Sequence, residues 1–101
     1  MTAYAALAEP SRRQILELLR AGERSVNDLV ALLTLSQPGV SKHLKVLRDA
    51  GLVEVRPEGR QRWYALRATP LAEVDAWLEP FRAYWSDRLD ALERHLEENP
   101  E

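Results

Sequence analysis

Four polar side chains, Gln37, Ser41, Lys45 and Arg48, recur at steps of four, four and three residues. On an α-helix that spacing gathers them on one face, roughly opposite Val40, Leu44 and Leu47. The chemistry open to such a face is recognition of base edges and anions. A glutamine amide bonds bidentately to adenine and a serine hydroxyl bonds to several base edges, while Lys42, Lys45 and Arg48 suit phosphates or guanine. An ordinary solvated helix face would read the same way in isolation. A second group follows downstream, where Arg56, Arg60 and Arg62 cluster around a glycine-containing turn next to Gln61. Three arginines on one ribbon suit phosphate contact or entry into a minor groove, although charged hairpins also serve to blunt a sheet edge. The two groups together point to double-stranded DNA.

The elements that must position these residues follow from hydrophobic period and punctuation. Tyr4 to Ala8 forms a short helix, and Pro10-Ser11 restarts the chain before Ile15, Leu16, Leu18 and Leu19 at helical spacing, up to Gly22. Ser25 with Asp28 three residues on is a variant capping box leading into Leu29, Leu32 and Leu33. Thr34-Leu35-Ser36 is a three-residue turn. Ser36 caps the next helix, which accommodates Pro38 in its first turn and ends at Gly51. The period then drops to two in Leu52 to Arg56 and Gln61 to Leu66, which flank Pro57-Glu58-Gly59-Arg60 as a β-hairpin. From Leu71 onward Val74, Leu78, Phe81, Trp85, Leu89, Leu92 and Leu96 form a long amphipathic stripe, which Pro80 should kink or divide.

The expected fold is therefore mainly α with a small β-hairpin: a winged helix-turn-helix of five helices and a two-stranded wing. The expectation is one domain over residues 1–101, with N-terminal helices at 4–21, the helix-turn-helix at 25–50, the wing at 52–67 and a dimerisation helix at 71–99. The formal net charge of −2 conceals a division along the chain. Residues 37–67 hold seven Lys or Arg against Asp49, Glu54 and Glu58, for +4, and residues 68–101 hold three Arg against nine acids, for −6. Binding responds to the local field, so one surface is built to meet an anion while another carries solubilising charge. No run approaches the roughly 18 to 20 apolar residues of a bilayer span. Met1-Thr2-Ala3-Tyr4 carries no cationic segment, which leads to an expected cytoplasmic, nucleoid-associated location. The chain has no cysteine, which closes disulfides, thiolate metal sites and cysteine nucleophiles. No Ser/His/Asp pattern, paired-carboxylate context or phosphate loop is present either, so no enzyme, catalytic residue or cofactor is expected.

Residues 7–19 (LAEPSRRQILELL), 35–47 (LSQPGVSKHLKVL), 50–53 (AGLV) and 59–66 (GRQRWYAL) occur in order at a spacing that resembles the ArsR family of winged-helix repressors. The resemblance implies a homodimer built from the first and last helices, a recognition helix beginning near Gln37, a wing around Gly59 and repression of transcription by promoter occupancy. It implies DNA contact by Ser36, Gln37, Pro38, Ser41, Lys42, Lys45, Arg48, Arg56, Arg60, Gln61 and Arg62. His43 matches a position often histidine in this family and is expected to contact the DNA backbone or buttress the helix. The family's metal-sensing cysteines correspond to Ser25 and Asn27, which are not soft-metal ligands. A second family metal site on the last helix keeps His95 and Glu98, but its upstream positions hold Arg82 and Tyr84. No metal site is expected.

The last helix is where this chain departs most from the metal-sensing pattern. Trp77, Phe81, Tyr84 and Trp85 put four aromatics within nine residues, more than a small monomer usually hides on one helix. A dimer interface of Tyr4, Leu7, Trp77, Leu78, Phe81, Trp85, Leu89, Leu92 and Leu96 is the natural sink. The alternative is that the rings line a pocket for a small organic effector. A winged helix used only for protein contact, or an architectural DNA-binding protein, would share the fold, yet protein contact alone would not need Gln37, Ser41 and three wing arginines together.

Overall fold

The computed structural model describes residues 2–99. Met1, Pro100 and Glu101 of the expected domain lie outside the described residues. The elements run α1 (Ala3–Leu7), α2 (Pro10–Arg20), β1 (Arg24–Ser25), α3 (Val26–Leu32), α4 (Gln37–Asp49), β2 (Val53–Glu58), β3 (Gln61–Leu66) and α5 (Leu71–Glu98).

Side chains supply the hydrogen bonds that helix starts lack. The Thr2 hydroxyl accepts from the Ala5 N–H at 3.2 Å. The Glu9 carboxylate accepts from the Ser11 N–H at 2.9 Å, with Pro10 opening α2. Ser25 and Asp28 close the capping box of α3 at 3.1 and 3.2 Å. Ser36 accepts from Gly39 at 3.2 Å, with Pro38 in the first turn of α4. Two arginines finish the short α1 from outside: Arg12 Nε donates to the Ala6 carbonyl and Arg13 Nη1 to that of Leu7, both at 2.7 Å. At the end of α3, Leu33 is extended and not helical, and its half-buried side chain packs on the core, so the link to α4 is one residue longer than expected.

Gly51 terminates α4 with φ +75°. Leu52 donates to the Leu47 carbonyl and Gly51 to that of Arg48, both at 2.9 Å, which is the Schellman pattern. Leu47 and Leu52 are both fully buried, so the closing apolar contact of that motif is available and the chain is aimed directly into β2. The hairpin is tighter than expected. Glu58 pairs with Gln61, leaving a two-residue turn at Gly59-Arg60, and Gly59 at φ +61° followed by a residue of negative φ fits a type II′ turn. Pro57 is accommodated because β2 is an edge strand. The wing gains a third strand beyond the two expected: the sheet order is β1-β3-β2, with Arg24 paired to Tyr64 and Ser25 to Trp63.

The buried core comprises Ala3 and Ala6 of α1, Ile15, Leu16 and Leu19 of α2, Leu29 of α3, Val40, Leu44 and Leu47 of α4, and Leu52 and Val53. No residue of α5 is fully buried; only Leu71 and Val74 pack on the core from its first turn. α5 runs through Pro80 without division. Its 28 residues span about 42 Å at 1.5 Å each. The molecule measures 63 × 28 × 20 Å, and its radius of gyration of 18.5 Å exceeds the ~13 Å of a compact chain this long. No helix among the described residues is long and apolar enough to cross a membrane.

Candidate nucleic-acid interface

α4 separates its two faces as the spacing requires. Val40, Leu44 and Leu47 are fully buried, whereas Gln37, Pro38, Ser41, Lys42, Lys45 and Arg48 are exposed. Ser36 is exposed but its hydroxyl is committed to the helix cap. His43 is half-buried on the flank of α4, with Nδ1 buried and lacking a hydrogen-bond partner among the described residues. It lies near Glu9 at the start of α2. The Glu9 carboxyl is held below its ordinary range, first by the Ser11 N–H and, more weakly, by the charges of His43 and Arg12.

In the hairpin, directly opposed residues share a face and successive residues alternate. Val53, Val55 and Pro57 therefore lie on one face with Leu66, Tyr64 and Arg62, and Glu54, Arg56 and Glu58 lie on the other with Ala65, Trp63 and Gln61. The first face packs on the core through Val53, Tyr64 and Leu66. Beyond Tyr64 it opens into a cleft of about 290 Å³ between the wing and the helices. Gln37 and Ser41 line this cleft from α4, Asn27 from α3, and Arg60, Gln61, Arg62 and Tyr64 from the wing. The structure thus brings Gln37 and Ser41 of the first group together with Arg60, Gln61 and Arg62 of the second in one concave polar surface, which Lys42, Lys45 and Arg48 do not line. Asn27 and Tyr64 escaped the sequence reading as lining residues. In the sequence Asn27 stands out only as the counterpart of a metal-sensing cysteine, and the hairpin register that places Tyr64 is not visible in a linear chain.

Arg56 does not join them. It lies on the opposite face of the sheet, and its guanidinium bonds Glu23 and Glu58, each at 2.8 Å. Glu23, then Glu58, holds it even more firmly protonated than a free arginine. Lys42, Lys45, Arg48, Arg60 and Arg62 have no ion-pair partner among the described residues. These five cations lie on α4 and at the wing tip.

The predicted interface residues divide by depth. Tyr4, Trp77, Phe81, Trp85, Leu89, Leu92 and Leu96 are exposed, Trp85 by 48% and Leu89 by 64%. Leu7 and Leu78 are half-buried, Leu7 against the core. The rings form a ladder: Tyr4 meets Trp77 edge-on at 6.2 Å, Trp77 meets Phe81 at 4.9 Å, and Phe81 meets Trp85 at 6.3 Å. Tyr4 also donates to the Glu73 carbonyl at 3.2 Å, tying α1 to α5. Of the positions matching family metal sites, Ser25 is spent in the capping box and Arg82 pairs with Asp75 and Glu79. Among the described residues, no group of three His, Asp or Glu side chains is placed to hold an ion.

Residues 9–55 match the sequence profile of the bacterial regulatory proteins of the arsR family. The chain is 46% identical over 79 residues to the HTH-type transcriptional regulator Rv2034 of Mycobacterium tuberculosis, covering 78% of this chain and 74% of that protein. It is 31% identical over 78 residues to the transcriptional repressor SdpR of Bacillus subtilis, covering 77% and 87%. The crystal structure of an ArsR family transcriptional regulator superposes with a TM-score of 0.72 at 32% identity, over 82% of this chain and 86% of that one. With helix-turn-helix, wing and long terminal helix in the same order, this chain belongs to the ArsR family of DNA-binding transcriptional regulators, and it lacks the cysteines of the family's metal-sensing members.

Proposed function

We propose that this regulator is a homodimeric, metal-independent repressor that occupies a palindromic operator on the nucleoid in the cytoplasm. In this reading Gln37 and Ser41 read base edges in the major groove. Lys42, Lys45 and Arg48 hold flanking phosphates, and Arg60, Gln61 and Arg62 of the wing grip the backbone or minor groove alongside. The observation that carries it is the cleft shared by the exposed start of α4 and the wing tip, with Arg60 and Arg62 unpaired on its wing side. Two copies related by a twofold axis would present two such clefts to two half-sites, and the exposed aromatic and leucine stripe of α5 supports self-association. Metal independence rests on the absence of cysteine and on the commitment of Ser25 and Arg82 to other partners.

Selection from a randomised duplex pool, followed by fluorescence anisotropy at two salt concentrations, tests the proposal. The expected result is an enriched inverted repeat bound about a thousandfold tighter than a scrambled duplex. Affinity should fall with salt and stay unchanged on addition of zinc or arsenite. A pool with no enriched sequence would overturn operator recognition, and a shift with metal would overturn metal independence.

A further inference from the structure

We propose that Arg56 is a positioning residue, bracing the wing across its own sheet so that the tip presents Arg60 and Arg62 to the start of α4. Every residue from Arg56 to Arg62 is exposed, so apolar packing does not hold the distal hairpin. β2 is an edge strand, hydrogen-bonded to β3 alone. Glu23 directly precedes β1, which forms the other edge. The 2.8 Å bond from Arg56 Nη2 to Glu23 therefore passes from one edge of the sheet over β3 to the other, joining residues 33 apart in sequence. Arg56 Nη1 bonds Glu58, two residues along the same face, also at 2.8 Å. One planar guanidinium thus links the base of the wing to its outer half.

Charge and direction separate Arg56 from its neighbours. Two carboxylates more than compensate it, and it faces away from the cleft that Arg62 lines. It offers little net attraction to a phosphate. Exposed ion pairs contribute little to global stability, and this one is about half exposed on both sides. Its effect belongs to the order of the wing and not to the folding of the core. The consequence for DNA affinity rests on the reading of the wing as a DNA grip, while the brace itself does not.

The test has one arm without DNA and one with it. In the free protein, Glu23→Gln and Arg56→Gln should each raise amide exchange across residues 58–62 by about two- to fivefold, the scale of one exposed charge pair, while core amides stay protected. On DNA, both variants should weaken binding to every duplex by a similar factor with an unchanged salt slope. Arg60→Gln should instead flatten the slope by about 0.9, one phosphate contact. The charge swap Glu23→Arg with Arg56→Glu should recover part of the lost exchange protection and affinity through the cross-sheet pair alone, because it sets a carboxylate beside Glu58. Wing exchange unchanged in Glu23→Gln would overturn the brace whether or not DNA binds. A flattened slope in Arg56→Gln together with tighter binding by Glu23→Gln would overturn it as well, because Arg56 would then be a phosphate contact held back by Glu23. An unmodified protein that binds no duplex would count against DNA recognition itself and leave the exchange arm to decide the brace.

Discussion

Gln37 and Ser41 sit one turn apart on the exposed face of α4, where a side chain makes no contribution to the core and is free to read another molecule. Replacing both, as Gln37→Ala with Ser41→Ala, should cost operator preference about 1–3 kcal/mol for each lost base contact. Binding to a scrambled duplex should change little, since phosphate contacts carry it. Anisotropy on both duplexes checks this, and equal loss on the two would remove the base-reading role. Glu9 allows a second prediction at this scale. Its folded pKa is depressed by the Ser11 N–H, so its contribution to stability is present above the unfolded carboxylate range and is lost as pH falls through the depressed value. Glu9→Gln keeps an acceptor for that N–H but not the titration. Urea unfolding across the acid range should therefore show a shallower fall in the variant, and an identical acid limb would show that the cap contributes no pH dependence.

Among the elements, the junction of α4 with the wing decides whether the two halves of the site meet. The Schellman turn at Gly51 sends Leu52 into the core and Val53 into β2, and a shift there would carry the wing away from Gln37. A Cβ at Gly51 has room, since its nearest neighbour would be Pro70 Cγ at 3.5 Å, so the obstacle is the φ of +75° and not a clash. Gly51→Ala should lower stability by about 1–2 kcal/mol, measurable as a lower urea midpoint at unchanged slope. A midpoint within error of the parent would show that the helix end relaxes to another turn. The hairpin carries the complementary lesson. Arg56 and Arg62 look alike in the chain, but a strand alternates sides at every residue, and the register puts them on opposite faces.

At the scale of the molecule, α5 leaves the core after its first turn and carries Trp77, Phe81, Trp85, Leu89, Leu92 and Leu96 into solvent. Steps of three and four residues keep these on one stripe, and a second copy covering about 800 Å² of each subunit would make an ordinary stable dimer. Beside this stripe α5 carries eight acidic residues against Arg82, Arg88 and Arg94. Trp85→Glu would place a charge inside that stripe. Light scattering should report monomers, with operator affinity reduced because the two half-sites are no longer joined. A variant that remains dimeric would refute this interface.

Helix starts, the exposed and buried faces of α4, the hairpin and the family were all legible in the linear chain. Caps, glycine stops and hydrophobic period are local signals, and Ser25, Ser36, Gly51 and Gly59 act on neighbours within a few residues. Chain order and period alone could not reveal the third strand, because a pair as short as Arg24-Ser25 shows no alternation and exists only through its bonds to β3. They could not separate Arg56 from Arg62, because strand register is a relation between distant segments. Nor could they show Arg12 and Arg13 spent on α1, or Asn27 and Tyr64 brought beside Gln37. The sequence by itself determined which residues could bind; the tertiary structure decided which of them share a surface, because that depends on packing and register between segments that are far apart in the chain.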